Sequence, residues 1–332
     1  MNIQSNNNIL LTGAGFTHNF GAPLADGMWS GIFNNENIYS FPELKRLLLC
    51  EFDYEKIYYK VKEGNYRKEL KDVLENAIIS AYDNLNKSFL CEGDFLKNVI
   101  NILNKFCGKN NTRGYVFTLN QDLFLEYKYV PELVNIKIEK PFIPGIKNYE
   151  QWFNVNSEQK NENIKLPNED ELKIKKQEFL ETTGKFFYIK LHGSSKWISS
   201  DGSNKLVIGR NKEWEIAKEP LLKWYFEIFR EVLSQKQRKL LIIGYSFRDK
   251  HINKVISEAI EESNLKVYII CPESPEDFKK RFFNVTLEES KIMPRIWDNL
   301  CGYYPCKLSE IFKDNTSEYT FLGKSFFENY FN

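Results

Sequence analysis

Residues 238–273 read RKLLIIGYSFRDKHINKVISEAIEESNLKVYIICPE, and this stretch decides the fold class. "RKLLIIGYSF" is a short apolar run that stops at a glycine. "RDKHINKVISEAIEES" then reads as a helix, and "LKVYIICPE" as a second apolar run. The same alternation precedes it, with "KFFYIKLHGS" (185–194) as a strand and "EPLLKWYFEIFREVLSQKQ" (219–237) as an amphipathic helix. Strands that are apolar throughout, not at every second residue, are buried on both faces, with helices as the covering layers. The expected class is therefore α/β with a Rossmann-like parallel sheet.

Working outward, "NILLTGAGF" (8–16) reads as a first strand entering a glycine turn, and "YVFTLNQD" (115–122) as a strand that ends in polar residues. Between them the pattern is helical from about 41 to 107, which predicts a helical insertion after the first strand. Residues from about 145 to 185 are rich in Asn, Glu and Lys and read as a polar surface insertion. The tail from about 275 to 332 reads as a helical extension, and the whole of 1–332 as one domain.

Composition narrows the function classes. The 332 residues carry 46 Lys and Arg against 45 Asp and Glu, a net charge of +1, so no global basic field invites nucleic acid. No apolar run approaches the ~18 residues of a membrane helix. The first fifteen residues, "MNIQSNNNILLTGAG", lack the basic start of a secretory leader. Six scattered cysteines (Cys50, Cys91, Cys107, Cys271, Cys301 and Cys306) form no C-x-x-C pair, and they read as reduced thiols of a cytoplasmic protein with no metal site.

In an open α/β sheet, ligands bind beyond the carboxyl ends of the strands. Four strand ends here carry glycine or polar residues: Gly13 and Gly15, Asn120 and Asp122, His192 and Gly193, Gly244 and Ser246. "GAGFTHNFGAP" (13–23) suits a phosphate cradle, because glycines let backbone N–H groups turn toward a diphosphate; a ligand-free tight turn is the plain alternative. It departs from G-x-G-x-x-G, with His18 at the third glycine position and the next glycine at Gly21. Asn120 and Asp122 suit hydrogen bonds to a sugar hydroxyl or a water, or simply a helix cap. His192 suits a general base, or a structural bond to a loop carbonyl, and the second reading fits His18 and His251 better still. Trp197 suits either a site wall or packing.

Taken in order, "GAGFTHNFGAP", "TLNQD", "KLHGSSKW" and "IIGYSFRDKHIN" resemble the sirtuin fold family, and most closely the sirtuin-like NADase domains of bacterial antiphage defence systems. The resemblance runs from Leu10 to about Glu273. It implies NAD as substrate, with Gly13, Ala14, Gly15 and Thr17 at the diphosphate and Gly21 and Pro23 in the loop over the nicotinamide ribose. It further implies Asn120 and Asp122 at the nicotinamide ribose and carboxamide, His192 as catalytic base, and Gly244 and Ser246 at the adenosine ribose. Protein-deacylating sirtuins resemble "TQNID" where this chain has "TLNQD", and they carry a zinc ribbon of two C-x-x-C pairs that this sequence lacks. The expected activity is NAD+ hydrolysis to nicotinamide and ADP-ribose. An NAD-dependent deacylase and a non-catalytic NAD- or ADP-ribose-binding subunit are the alternatives. A regulatory partner protein or a homo-oligomer is expected from the same resemblance.

Overall fold

The computed structural model describes residues 5–90, 93–109, 112–130, 137–149, 153, 162–182, 186–200, 202, 204–209, 211–284, 286, 289–313, 316 and 318–331. Its centre is a seven-stranded sheet. In chain order its strands are β1 (Ser5–Thr12), β2 (Arg113–Thr118), β3 (Pro141–Phe142), β5 (Phe186–Lys190), β8 (Lys239–Ile243), β9 (Lys266–Ile270) and β10 (Leu300–Tyr304). They lie in the order β10-β9-β8-β1-β2-β5-β3, and every neighbouring pair is parallel. A smaller sheet holds β4 (Ile164–Lys165), β6 (Gly193–Ile198) and β7 (Asn204–Leu206) in the order β4-β6-β7.

The central strands are apolar throughout because neither face meets water. All six residues of β2 and all five of β5 are buried. Helices cover both faces, as parallel sheets require. The helix Pro220–Leu233 starts with proline at its first turn, where a missing N–H costs nothing, and buries Leu221, Leu222, Trp224, Tyr225, Ile228, Phe229, Val232 and Leu233. The helix Lys250–Ser263 stops at Asn264, whose left-handed φ of 56° is the usual way to end a helix and turn back into a strand. Sequence and structure agree on the α/β Rossmann-like parallel sheet.

The helix Ala25–Phe33 precedes the helical block, whose last helix is Gly93–Asn104. Its longest member, Lys68–Lys87, buries Leu70, Leu74, Ala77, Ile78, Ala81, Tyr82 and Leu85 along one stripe. Each large aliphatic side chain so buried contributes about 1.5–3 kcal/mol. The polar stretch is more ordered than expected. Its helix Glu169–Glu181 opens with a capping box, Asn168 to Glu171, and puts Phe179 against Phe187 and Trp224 at ring distances of 5.1 and 5.3 Å. Residues 150–152, 154–161 and 183–185 of that stretch lie outside the described residues. The tail adds an element to the expected helical extension, since Leu300–Tyr304 forms the edge strand β10 beside β9. Cys50, Cys271, Cys301 and Cys306 are free thiols, Cys107 is buried with its Sγ 3.9 Å from Leu103 O, and Cys91 lies outside the described residues. Among the described residues no helix is long and apolar enough to cross a membrane.

Candidate functional site

Strand β1 sits between β2 and β8, so the chain builds outward on one side and then crosses to the other. Such a reversal opens a crevice at the carboxyl edge of the sheet. Register puts the four strand ends at one level there. Thr12 is opposite both Thr118 and Ile243, and Thr118 is opposite Lys190. Gly13, Asn120, His192 and Gly244 each follow within two residues of those positions, so the four motifs meet at the same edge.

The glycines first allow two turns to interlock. Gly13 and Gly15 donate their amides to Ile243 O at 3.0 Å and Gly244 O at 2.9 Å. A Cβ on Gly13 would lie 2.7 Å from the Gly244 oxygen, and one on Gly244, at φ +67°, would lie 2.1 Å from the Phe16 amide. Two of the N–H groups in the suspected phosphate cradle are thus already engaged. Gly21, at φ +88°, turns the chain out of the short helix Ala14–His18 toward Pro23.

Asn120 and Asp122 are joined through that turn. Asn120 Nδ2 donates to Thr17 Oγ1 at 3.2 Å, and Thr17 Oγ1 donates to Asp122 Oδ2 at 3.0 Å. Asp122 also accepts the Phe124 amide at 3.0 Å. Burial pushes the Asp122 carboxyl upward, against the nearby Lys190. Lys190 is the chemical exception in its apolar strand. It is 0% exposed, and it donates to Asp122 O at 2.5 Å, Glu126 Oε1 at 3.0 Å and Tyr188 OH at 3.2 Å. It therefore pins the Asn120 loop to the strand that carries His192.

His192 is 3% exposed, and its Nε2 lies 3.1 Å from Nε2 of His251. Burial drives the His192 pKa well below its usual range, so the ring is neutral near pH 7. Burial lowers His251 as well. Asp249 sits at the N-cap position of the helix that begins at Lys250, with its carboxylate turned to other partners and not to the helix amides. Burial opposes its charge, yet His192, Lys212 and His251 more than offset this and hold its pKa down at about 2. Lys212 bridges Asp249 Oδ1 at 2.9 Å and Glu55 Oε2 at 3.0 Å. The other two readings of ring residues resolve simply. His18 Nδ1 donates to Ala22 O at 2.8 Å, a structural bond, and Trp197 packs in the core near Tyr225.

The helical insertion reaches into this edge. Asn86, at the end of its long helix, accepts the Leu123 amide at 2.8 Å and donates to Ser195 Oγ at 3.3 Å. Asp83 pairs with Lys196 at 2.7 Å. Around Asn120, itself 8% exposed, the open space is about 10 Å³, room for about one water. On the far side of β8 a cavity of about 310 Å³ is lined by Ser246, Arg248, Arg281, Asn284 and Glu289. Within that lining, Arg281 donates to Ser246 O at 2.7 Å and pairs with Glu273 at 2.5 Å.

Asn86 and Lys190 are the residues that sequence reasoning passed over, whereas His251 was read there as structural. Lys190 left a visible signal, a charge inside "FFYIKL". Asn86 left none, because an asparagine near a helix end looks like a solvated one. Among the described residues no group of three or more His, Cys, Asp or Glu is placed to hold a metal ion.

A family model described as a SIR2-like domain matches residues 114–294, more than half of the 332-residue chain. Among solved structures, the chain is similar to a crystal structure of Sir2 in complex with the inhibitor EX-527, 2'-O-acetyl-ADP-ribose and deacetylated p53-peptide. That match has 13% identity and a TM-score of 0.37, and covers 97% of this chain and 93% of the other. None of the curated proteins matches.

Proposed function

We propose, from the premise that this chain belongs to the SIR2-like domain family, that it is an NAD+ glycohydrolase releasing nicotinamide and ADP-ribose. The observation that carries the reading is the common level of Asn120 and His192, set by the pairing of Thr118 with Lys190 on adjacent parallel strands. The adenosine half enters the cavity lined by Ser246, and Gly244, two residues earlier, contacts its ribose. The diphosphate lies along the Gly13–Thr17 turn, and Gly21 and Pro23 border the nicotinamide ribose.

Cleavage breaks the bond between ribose C1′ and the pyridinium nitrogen. The electron pair stays with nitrogen, so neutral nicotinamide departs without an acid. The ribose passes through an oxocarbenium-like state, as in other glycosidic cleavages. Water adds to C1′ and gives its proton to His192, which burial keeps unprotonated and ready as a base. Asn120 orients the ribose or the water, and Asp122 holds Thr17 and the carboxamide side of the pocket. Hydrolysis is preferred over deacylation because the sequence lacks the paired C-x-x-C motifs of the deacylating relatives. The role that fits is an effector of antiphage defence that depletes NAD under the control of a partner or an assembly.

The test is nicotinamide release from NAD+ by the purified chain, read by chromatography, beside Asn120→Ala and His192→Ala. Release by wild type and by neither variant is expected; full activity in both variants overturns the assignment. The narrow space at Asn120 favours a second reading, a chain that binds NAD or ADP-ribose without turnover. Tight binding by calorimetry with no nicotinamide release, even after addition of a candidate partner, would establish that instead.

A further inference from the structure

His251 stands outside the roles assigned so far, yet its ring bonds directly to that of His192. The two rings come from different elements, the loop after β5 and the first turn of the helix Lys250–Ser263. They are 59 residues apart in sequence and meet through the same atom type, Nε2 to Nε2, at 3.1 Å. Such a bond needs one hydrogen between two nitrogens, so one ring donates and the other accepts. Two doubly protonated rings cannot make it.

We propose that His251 is a positioning residue for His192, fixing its tautomer and sharing the proton that His192 takes up; this rests on the hydrolysis proposed above. In the resting pair, Nε2–H of His192 donates to Nε2 of His251. That leaves the lone pair of His192 Nδ1 free as the base. During cleavage an O–H bond of water breaks as its oxygen bonds C1′, and the proton goes to Nδ1. The Nε2 hydrogen of His192 moves to Nε2 of His251, and the pair later releases one proton to solvent. The sum is NAD+ plus water giving nicotinamide, ADP-ribose and one proton.

The surroundings suit a shared proton. Asp249, at the cap of the same helix, favours positive charge on both rings. Lys212, from the helix Lys212–Lys218, opposes it, and is itself paired with Asp249 at 2.9 Å and with Glu55 of the insertion at 3.0 Å. Glu213 on that helix adds a favourable charge near His251, and the Phe226 ring from Pro220–Leu233 packs 5.7 Å from its ring centre. Both imidazoles are buried, which excludes water from competing for the Nε2 bond.

The experiment uses the full chain labelled with ¹⁵N-histidine, in which only three histidines need assignment. In wild type, long-range ¹H–¹⁵N spectra should show one protonated and one unprotonated Nε2 for His192 and His251, responding together on acidification. His251→Gln should shift the response of His192. In turnover assays His251→Gln keeps a polar partner but cannot accept a proton; kcat should fall about 10- to 100-fold, a fraction of what a general base supplies. KM should stay within about 2-fold, and the acid limb of kcat should move to lower pH, because one of the two nitrogens sharing the proton is gone. If His251→Gln is not folded by circular dichroism, His251→Asn serves in its place. Unchanged His192 resonances together with unchanged kcat overturn the proposal. Absence of nicotinamide release by wild type would overturn the hydrolysis reading alone, and the spectra would still decide whether the rings are coupled.

Discussion

Lys190 offers the sharpest test of how the site edge is held. Lys190→Met keeps the length and packing of the side chain and deletes its charge. Three acceptors lose their donor: Asp122 O, Glu126 Oε1 and Tyr188 OH. Glu126 is also 0% exposed, and its Oε2 has no hydrogen-bond partner among the described residues. Removing one partner of a buried ion pair costs about 3–5 kcal/mol. Burial already raises the Glu126 pKa above its ordinary value of 4.5, and Lys190 is the main opposing influence. In the variant that opposition disappears and the folded-state pKa climbs further. Between the unfolded and the folded value, the folded chain holds a proton that the unfolded chain has released. Stability therefore falls as pH rises through that window. The penalty of Lys190→Met should be near its full size at pH 8. Near pH 4.5 it should shrink toward the lost hydrogen bonds, about 1–3 kcal/mol. Urea unfolding followed by tryptophan fluorescence at the two pH values measures both. Adding Glu126→Gln to Lys190→Met should recover stability at pH 8 and change little at pH 4.5. A penalty equal at both pH values, with Glu126→Gln simply adding to it, would show that the two groups are not coupled and that the pH argument is wrong.

Two further outcomes follow from the same edge. Gly244→Ala forces a Cβ to within 2.1 Å of the Phe16 amide at φ +67°, so it should cost well above the ~1–2 kcal/mol of left-handed strain alone and weaken NAD binding by calorimetry; a variant as stable as wild type would contradict the interlocked turns. Asn86→Ala leaves the buried Leu123 amide without its acceptor, so it should cost about 1–3 kcal/mol and speed hydrogen exchange in 119–123 above the rest of the sheet; unchanged exchange there would remove Asn86 as a tie.

Much of this was readable in the chain. Four central strands announce themselves as continuous apolar runs, and each ends in the glycine or polar residues that later share one edge. Two strands of the central sheet escaped reading for want of local signal. β3 has only two residues, and β10 is an edge strand, "LCGYY", half-exposed and broken by a glycine, so no apolar run marks it. The glycines were read as a cradle for phosphate, but their first task is close approach between two turns distant in sequence, which only the sheet order reveals. The partnership of His192 with His251 is likewise tertiary. A histidine in the first turn of a helix gives no hint of the ring that will meet it.

Among the described residues the insertion touches the candidate site edge through Asn86, Asp83 and Glu55. Energetically it is a ligand that the chain can never dilute away, because covalent attachment keeps its local concentration high. The account runs in both directions. If making room at Asn120 strains those three contacts, the free energy that a nucleotide spends on opening them is the free energy by which it loosens the insertion. Anything that grips the insertion in its seated position then weakens nucleotide binding by the same factor, and anything that draws it away strengthens binding equally.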